Sequence, residues 1–125
     1  MRAKRLFLIH VLIVPIILTA QSWQVFDMDN VGLPSNTIRA LAQDQQGIVW
    51  AASNWGLCRY DGSDWTFIQQ GAGELPENDL TALAVDQMDR LWIGTSLNGI
   101  AILDEGNWSF LNTGNSPLPD NMVHN

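Results

Sequence analysis

Few residues of this 125-residue chain are of the types that carry enzyme chemistry, and they are widely separated. The two histidines, His10 and His124, stand near opposite ends, so the body of the chain has no imidazole base or ligand. Cys58 lies in a short apolar segment without a partner base, which favours a small core residue over a nucleophile. Asp27 and Asp29 lack the further oxygen ligands of a calcium loop and favour a solvated connection. We expect no catalytic residue, no metal site and no cofactor.

One aromatic residue is a candidate for ligand binding. Trp55 occupies a predicted turn, and Asn54 and Arg59 stand near it in the sequence. A flat, exposed aromatic face stacks on sugar rings or protein partners at small entropic cost. The default interpretation is a tryptophan packed against its own loop, and the alternative is a ligand-facing patch that includes these three residues.

The chain around Trp55 is built from a repeat of about 42 residues. A tetrapeptide that begins with Leu-Pro and ends with Asn occurs at 33–36, 75–78 and 118–121. Trp23 begins the same series, and Trp55 alone among the six tryptophans stands outside it. The positions that return are Asp44, Trp50, Gly56, Asp61, Trp65 and Phe67 in the first copy and Asp86, Trp92, Gly99, Asp104, Trp108 and Phe110 in the second. Chance does not produce this regularity.

Each copy of the repeat predicts four short strands separated by tight turns. The predicted strands are 38–43, 48–53, 57–60 and 65–68 in the first copy and 80–85, 91–95, 100–103 and 108–111 in the second. Asp-Gly and Asn-x-Gly clusters supply the positive φ angles that such hairpins need. Gly47 of the first hairpin is replaced by Asp89 in the second. Because Asp tolerates the left-handed region better than most residues, we expect the turn to survive.

Both faces of strand 80–85 are largely apolar, with Leu80, Ala82 and Ala84 on one face and Leu83 and Val85 on the other. An antiparallel sheet in a small sandwich normally has one polar face. Four-stranded sheets of 40 to 45 residues that stack face to face are the blades of a β-propeller.

The predicted fold is therefore all-β, with two complete four-stranded blades and partial blades at both ends. In this arrangement Trp50 and Trp92 can fill the space between blades. A solenoid of β-hairpins is the alternative fold.

The pattern Ile-x-Ala-Leu-x-x-Asp-x-x-Gly-x-x-Trp-x-x-(Ser/Thr)-x-x-Gly-(Leu/Ile)-x-x-(Tyr/Leu)-Asp resembles the two-component regulator propeller repeat. It is carried by 38–61 and, with Asp89 in place of the glycine, by 80–104. The resemblance implies the extracytoplasmic sensor region of a hybrid two-component histidine kinase, typically from Bacteroidetes, which senses carbohydrate fragments. Similar repeats also occur in secreted, surface-sorted proteins without a kinase.

Residues 1–22 predict an export signal. Arg2, Lys4 and Arg5 precede an apolar run from 6 to 18, which is shorter than the roughly 20 residues that span a bilayer. Small and polar residues follow, with cleavage expected near Ala20 or Ser22. An uncleaved signal anchor is the alternative. The mature protein is expected on the periplasmic or extracellular side of a Bacteroidetes-like cell.

The remaining residues, 23–125, predict an incomplete propeller. The expected parts are an outer strand of a closing blade at 23–26, blades at 36–68 and 78–111, and the start of a further blade at 119–125. We expect this chain to be the N-terminal part of a longer protein whose remaining blades are its first partners. The alternative is a naturally short protein that assembles its ring from several chains.

The charge of the chain limits its partners. After removal of the signal, three arginines face thirteen acidic residues, a formal charge of −10. Such a body repels nucleic acid and anionic lipid, so membrane attachment would come only through the signal or a downstream helix. We expect a non-enzymatic module that recognises a carbohydrate or protein ligand. The alternatives are a surface-sorted scaffold and a fragment of a propeller enzyme whose catalytic residues lie in other blades.

Overall fold

Two four-stranded sheets make up the part of the chain that the computed structural model describes, which is residue 15 and residues 21–71 and 73–124. The predicted export signal at 1–22 lies outside the described residues except for positions 15, 21 and 22. No helix capable of crossing a bilayer is present within the described ranges.

Both sheets are antiparallel meanders in which each strand pairs with the next along the chain. The first sheet contains β1 (Ile38–Gln43), β2 (Val49–Ser53), β3 (Gly56–Tyr60) and β4 (Trp65–Ile68). The second contains β5 (Leu80–Val85), β6 (Leu91–Thr95), β7 (Ile100–Asp104) and β8 (Asn107–Leu111). All eight predicted strands are confirmed, and no boundary differs from its prediction by more than one residue.

The first hairpin of each sheet is closed by a repeated aspartate. Asp44 Oδ1 accepts backbone N–H groups from Gln46 at 3.0 Å and Ile48 at 2.9 Å, which fixes the turn between β1 and β2. Its Oδ2 accepts the Trp50 indole N–H at 3.1 Å. This one carboxylate therefore links the turn to the side chain of Trp50 in β2.

The turn between β5 and β6 has the left-handed geometry expected of it. Asp89 has a φ of 61°, close to the 85° of Gly47 at the same position of the first hairpin. The prediction that Asp would preserve this turn is confirmed.

The main hydrophobic core lies between the two sheets. The first sheet contributes Trp50, Ala52 and Leu57, and the second contributes buried leucine, isoleucine and alanine side chains from β5, β6 and β7. Trp50 is only 7% exposed, so it fills the space between the sheets as predicted. Its counterpart Trp92 lies on the opposite face of the second sheet, in a groove that Val123 also lines.

A second, smaller cluster covers the other face of the first sheet. Leu33, Ala51 and Cys58 are buried there, with partly buried aromatic and aliphatic side chains around them. Most of its members stand 42 or 43 positions before members of the main core: Phe26 before Ile68, Leu33 before Leu75, Ala51 before Ile93, Cys58 before Ala101, Trp65 before Trp108 and Phe67 before Phe110. The segment 26–33 therefore packs on the first sheet as 68–75 packs on the second.

The two predicted partial blades differ from strands in their hydrogen bonding. Residues 23–26 have no ladder partner among the described residues, and Trp23 is 92% exposed. Phe26 nevertheless packs edge-on against Trp65, with ring centroids 5.1 Å apart. At the other end, the Val123 N–H donates to the Thr95 carbonyl at 3.0 Å, so this segment lies along the second sheet.

Gly99 offers a test of the packing between neighbouring strands. Its φ is 79°, and an added Cβ would lie 2.1 Å from the Leu111 carbonyl oxygen. Gly106 has a similar φ of 83° but open space around it. We expect Gly106→Ala to lower the free energy of unfolding by about 1 kcal/mol, the ordinary cost of a positive φ. Gly99→Ala should lower it by about 3 kcal/mol, because backbone must also move. Urea unfolding measures both values, and equal losses would contradict the close approach.

The open apolar faces predict self-association of residues 21–125 expressed alone. Leu41 on the first sheet is 67% exposed, whereas its counterpart Leu83 is packed in the main core. Repeated sheets gain stability from neighbours, so uncovered faces should find other copies. Ala84→Glu, on the open face of the second sheet, should reduce the associated fraction in sedimentation velocity, and Ser63→Glu in a turn should not. A monomeric wild-type chain would contradict this expectation.

Candidate functional site

The predicted candidate Trp55 lies at the tip of the turn between β2 and β3. Trp55 is 57% exposed. Its backbone N–H donates to Ser53 Oγ at 3.1 Å, and its backbone carbonyl accepts the Gln69 side-chain amide at 3.2 Å. In the second sheet Thr95 Oγ1 stabilises the corresponding turn by accepting the Asn98 N–H at 3.0 Å. The turn therefore needs a hydroxyl residue before it but no tryptophan.

Arg59, which the sequence hypothesis combined with Trp55, lies in β3. Trp55 lies in the turn that precedes β3, and Arg59 is the fourth residue of that strand, so most of the strand's length separates them along the chain. The Arg59 guanidinium lies 5.9 Å from the centroid of the Trp50 ring, on the side that faces the second sheet. Arg59 therefore faces the second sheet, and a joint patch of Asn54, Trp55 and Arg59 stays a prediction.

Arg59 instead lines a cleft of about 310 Å³ between the two sheets. The cleft opens where the β1–β2, β5–β6 and β7–β8 turns meet, and its floor is apolar. Asp89 and Glu105 contribute carboxylates, and the exposed Met88 side chain forms part of the rim. The cleft is not apparent from the sequence, because its lining comes from turns and strands that are far apart in the chain.

The charge environment of Arg59 is unusual for this chain. Among the described residues the ion pairs are Arg39 with Asp79 and Arg90 with Asp86, so Arg59 has no carboxylate oxygen within 4.0 Å. The backbone N–H groups of Asp64 and Ser63 lower the pKa of the nearby Asp61 carboxyl, and Arg59 adds a smaller effect in the same direction. Arg59 thus presents a half-buried positive charge to the cleft.

Cys58 and Asp27 have structural roles. Cys58 is fully buried, and burial raises the pKa of its thiol to about 11, which keeps it protonated at neutral pH. It is a core residue, as predicted. Asp27 Oδ1 accepts the N–H groups of Asp29 and Asn30, both at 2.9 Å, and so closes a turn. No cluster of metal-ligating side chains is found in the described part of the chain.

Comparison with known families identifies the repeat. The family model described as two component regulator propeller matches residues 32–55, which span β1, β2 and the turn that carries Trp55. Residues 32–55 thus match a two component regulator propeller repeat. The predicted resemblance is confirmed, and a repeat of this kind supports the prediction of a non-catalytic module. No curated protein matches the chain.

Solved structures show that the two sheets are propeller blades. The extracellular domain assigned to the hybrid two component system BT3049 of B. thetaiotaomicron has a TM-score of 0.60 and 23% identity over 70% of this chain. The corresponding domain of BT4673 from the same organism has a TM-score of 0.58 and 22% identity over 74%. The predicted all-β propeller fold is confirmed.

A third similar structure is PorZ, described as an essential bacterial surface component of the type-IX secretion system of Porphyromonas gingivalis. It has a TM-score of 0.55 and 28% identity over 69% of this chain. The present chain covers 14% of each of the three proteins. The likeness therefore concerns two blades of much larger molecules.

In the second propeller blade the repeated aspartate, Asp86, also binds an arginine. Asp86 Oδ2 accepts the Trp92 indole N–H at 2.8 Å and the Arg90 Nε–H at 2.7 Å. The Trp92 hydrogen bond, followed by the backbone N–H of Arg90, holds the pKa of the Asp86 carboxyl well below its usual range. The ionised carboxylate is thus favoured in the folded state.

The lowered pKa of Asp86 predicts a pH-dependent contribution to stability. A carboxyl whose pKa is lower in the folded state stabilises the fold above its unfolded pKa of about 3.9, and this contribution is lost as pH falls below that value. The difference in unfolding free energy between wild type and Asp86→Asn should be largest near pH 7 and shrink towards pH 2. In Trp92→Phe, which removes the indole N–H donor to Asp86, the free energy of unfolding should depend less strongly on pH than in wild type. A difference that is independent of pH, measured by urea unfolding, would contradict this role.

Proposed function

We propose that this chain is part of an extracytoplasmic sensing module of the hybrid two-component type and has no enzymatic activity of its own. The observation that carries the proposal is the family match to residues 32–55, supported by the blade fold that this chain shares with extracellular domains of such systems. The basic and apolar residues at 1–22, typical of an export signal, support the extracytoplasmic location.

The packing of the two ends supports further blades as the immediate partners. Segment 26–33 covers the first sheet in the way that 68–75 covers the second, and Val123 lies on the second sheet 43 positions after Leu80. We infer that 23–26 belongs to a closing blade and that 119–125 begins another. A protein ligand or, as the resemblance implies, a carbohydrate fragment would then bind to the completed ring.

A second candidate function is a surface scaffold. The similarity to PorZ favours it, because PorZ is described as a surface component of a secretion system rather than as part of a two component system. The propeller enzyme remains the third alternative, and among the described residues no cluster of metal-ligating side chains favours it.

The reading frame that follows the codon for Asn125 tests the sensor proposal. We expect further repeats of about 42 residues, then a membrane-spanning helix and a histidine kinase. Repeats followed by a sorting domain would favour the scaffold, and an immediate stop codon would overturn the proposed architecture.

A physiological test uses a strain in which the gene is deleted, compared by transcript profiling with its parent on a panel of polysaccharides. We expect one group of transcripts to lose induction on one carbon source and to regain it on complementation. Unchanged profiles on every carbon source would overturn the sensing function.

A further inference from the structure

The two blades place an arginine over each repeated tryptophan by different routes. Arg90 precedes β6 and lies 5.6 Å from the Trp92 ring centroid, while Arg59 reaches Trp50 from the opposite strand β3. Arg90 donates to Asp86, so its charge is neutralised within the blade. The Arg59 side chain lies over Trp50 but makes no ion pair or hydrogen bond with the described residues.

The repeat does not require a charge at position 59. The corresponding residue of the second blade is Ile102, which is 7% exposed and apolar. An arginine at this place gives up part of its hydration, which costs free energy unless its five N–H donors find acceptors. The contact with the Trp50 ring, 5.9 Å from guanidinium carbon to ring centroid, does not occupy the N–H donors of Arg59 with hydrogen-bond acceptors.

The cleft in front of Arg59 has the dimensions and lining of a small-molecule site. Its volume of about 310 Å³ lies at the lower end of ligand pockets. Ile48, Leu91 and Leu103 provide apolar surface, whereas Glu105 adds a carboxylate at the turn between β7 and β8.

The lining also includes the Asp44 and Asp89 carboxylates. Asp44 already accepts two turn N–H groups and the Trp50 indole N–H, and Asp89 accepts the Gln45 N–H at 2.8 Å. Glu105 is therefore the carboxylate in this lining that we assign as the acceptor for hydroxyl or amino groups, with Arg59 as the cation.

We propose that this cleft binds a small organic carboxylate that also carries hydroxyl or amino groups. The ligand carboxylate pairs with the Arg59 guanidinium, which matches it in planar geometry, and the carbon skeleton covers the apolar floor. The hydroxyl or amino groups donate to Glu105. The inference rests on the proposed function, because it assigns a ligand site to the sensing module.

Isothermal titration of the full chain tests the proposal with four probes. D-galacturonate represents hydroxylated carboxylates and L-leucine amino carboxylates, butyrate has the carboxylate alone, and D-galactose lacks it. We expect binding of D-galacturonate or L-leucine, at least tenfold weaker binding of butyrate, and none of D-galactose. Failure of both functionalised carboxylates to bind, or equal binding of D-galactose, would overturn the proposal.

Three variants assign the binding to Arg59. Arg59→Met should lower the affinity for the probe at least tenfold, and Arg59→Lys should retain part of the affinity that Arg59→Met loses. Arg90→Met is the matched control, since it removes the arginine from the other repeated tryptophan and should leave the affinity unchanged. Unchanged affinity in Arg59→Met would overturn the assignment.

A measurement on the wild-type chain guards against a variant that fails to fold. The indole N–H resonance of Trp50, assigned with Trp50→Phe, should shift when the probe is added, because the carboxylate changes the field at the Arg59–Trp50 pair. A bound probe that shifts only other indole resonances would overturn the location. If the gene deletion abolishes a transcriptional response while no carboxylate binds, the proposed function stands and this site is wrong.

Discussion

Burial of apolar sheet faces is the constraint on which the rest of this structure depends. A blade of about 35 residues cannot cover both of its faces alone, so each sheet is stable only between neighbours. In the main core, Trp50 and Leu57 of one blade pack against Leu91 and Ile93 of the next, so each blade covers a face of its neighbour. The 42-residue period follows from this requirement, since every blade must present the same complementary faces.

The aspartate of the repeat links this packing to the local chain. Asp44 and Asp86 each accept two turn N–H groups and one indole N–H, so the hairpin and the tryptophan are set by the same carboxylate. A sequence change in the turn would then disturb the inter-blade core. The turn between β6 and β7, 96–98, is one residue longer than the corresponding turn 54–55 of the first copy. Glu77 from the preceding loop stabilises it by accepting the Asn98 side-chain amide and the Leu97 N–H.

The strands were predictable because the repeat presents each of them twice, with hydrophobic alternation bounded by Asp and Gly turns. The cleft was not predictable, since proximity of Arg59, Met88 and Glu105 depends on how one blade stacks on the next. The position of Arg59 relative to Trp55 was not predictable for the opposite reason. They are close in sequence, but an extended strand carries residues away from each other at the largest possible rate.

Comparison of the two copies of the repeat also distinguishes residues that the fold requires from residues that are available for recognition. Positions that agree between them, such as Asp44 with Asp86 and Trp50 with Trp92, form the hydrogen bonds and core contacts that any blade requires. Position 59 differs between the copies. The second copy has the apolar Ile102, whereas Arg59, which has no ion pair among the described residues, lines the cleft. Within the described blades Arg59 lies over the Trp50 ring but has no ion pair, and the corresponding Ile102 shows that the blade fold does not need a charge at this position. The partner of Arg59 should therefore be sought outside the blade.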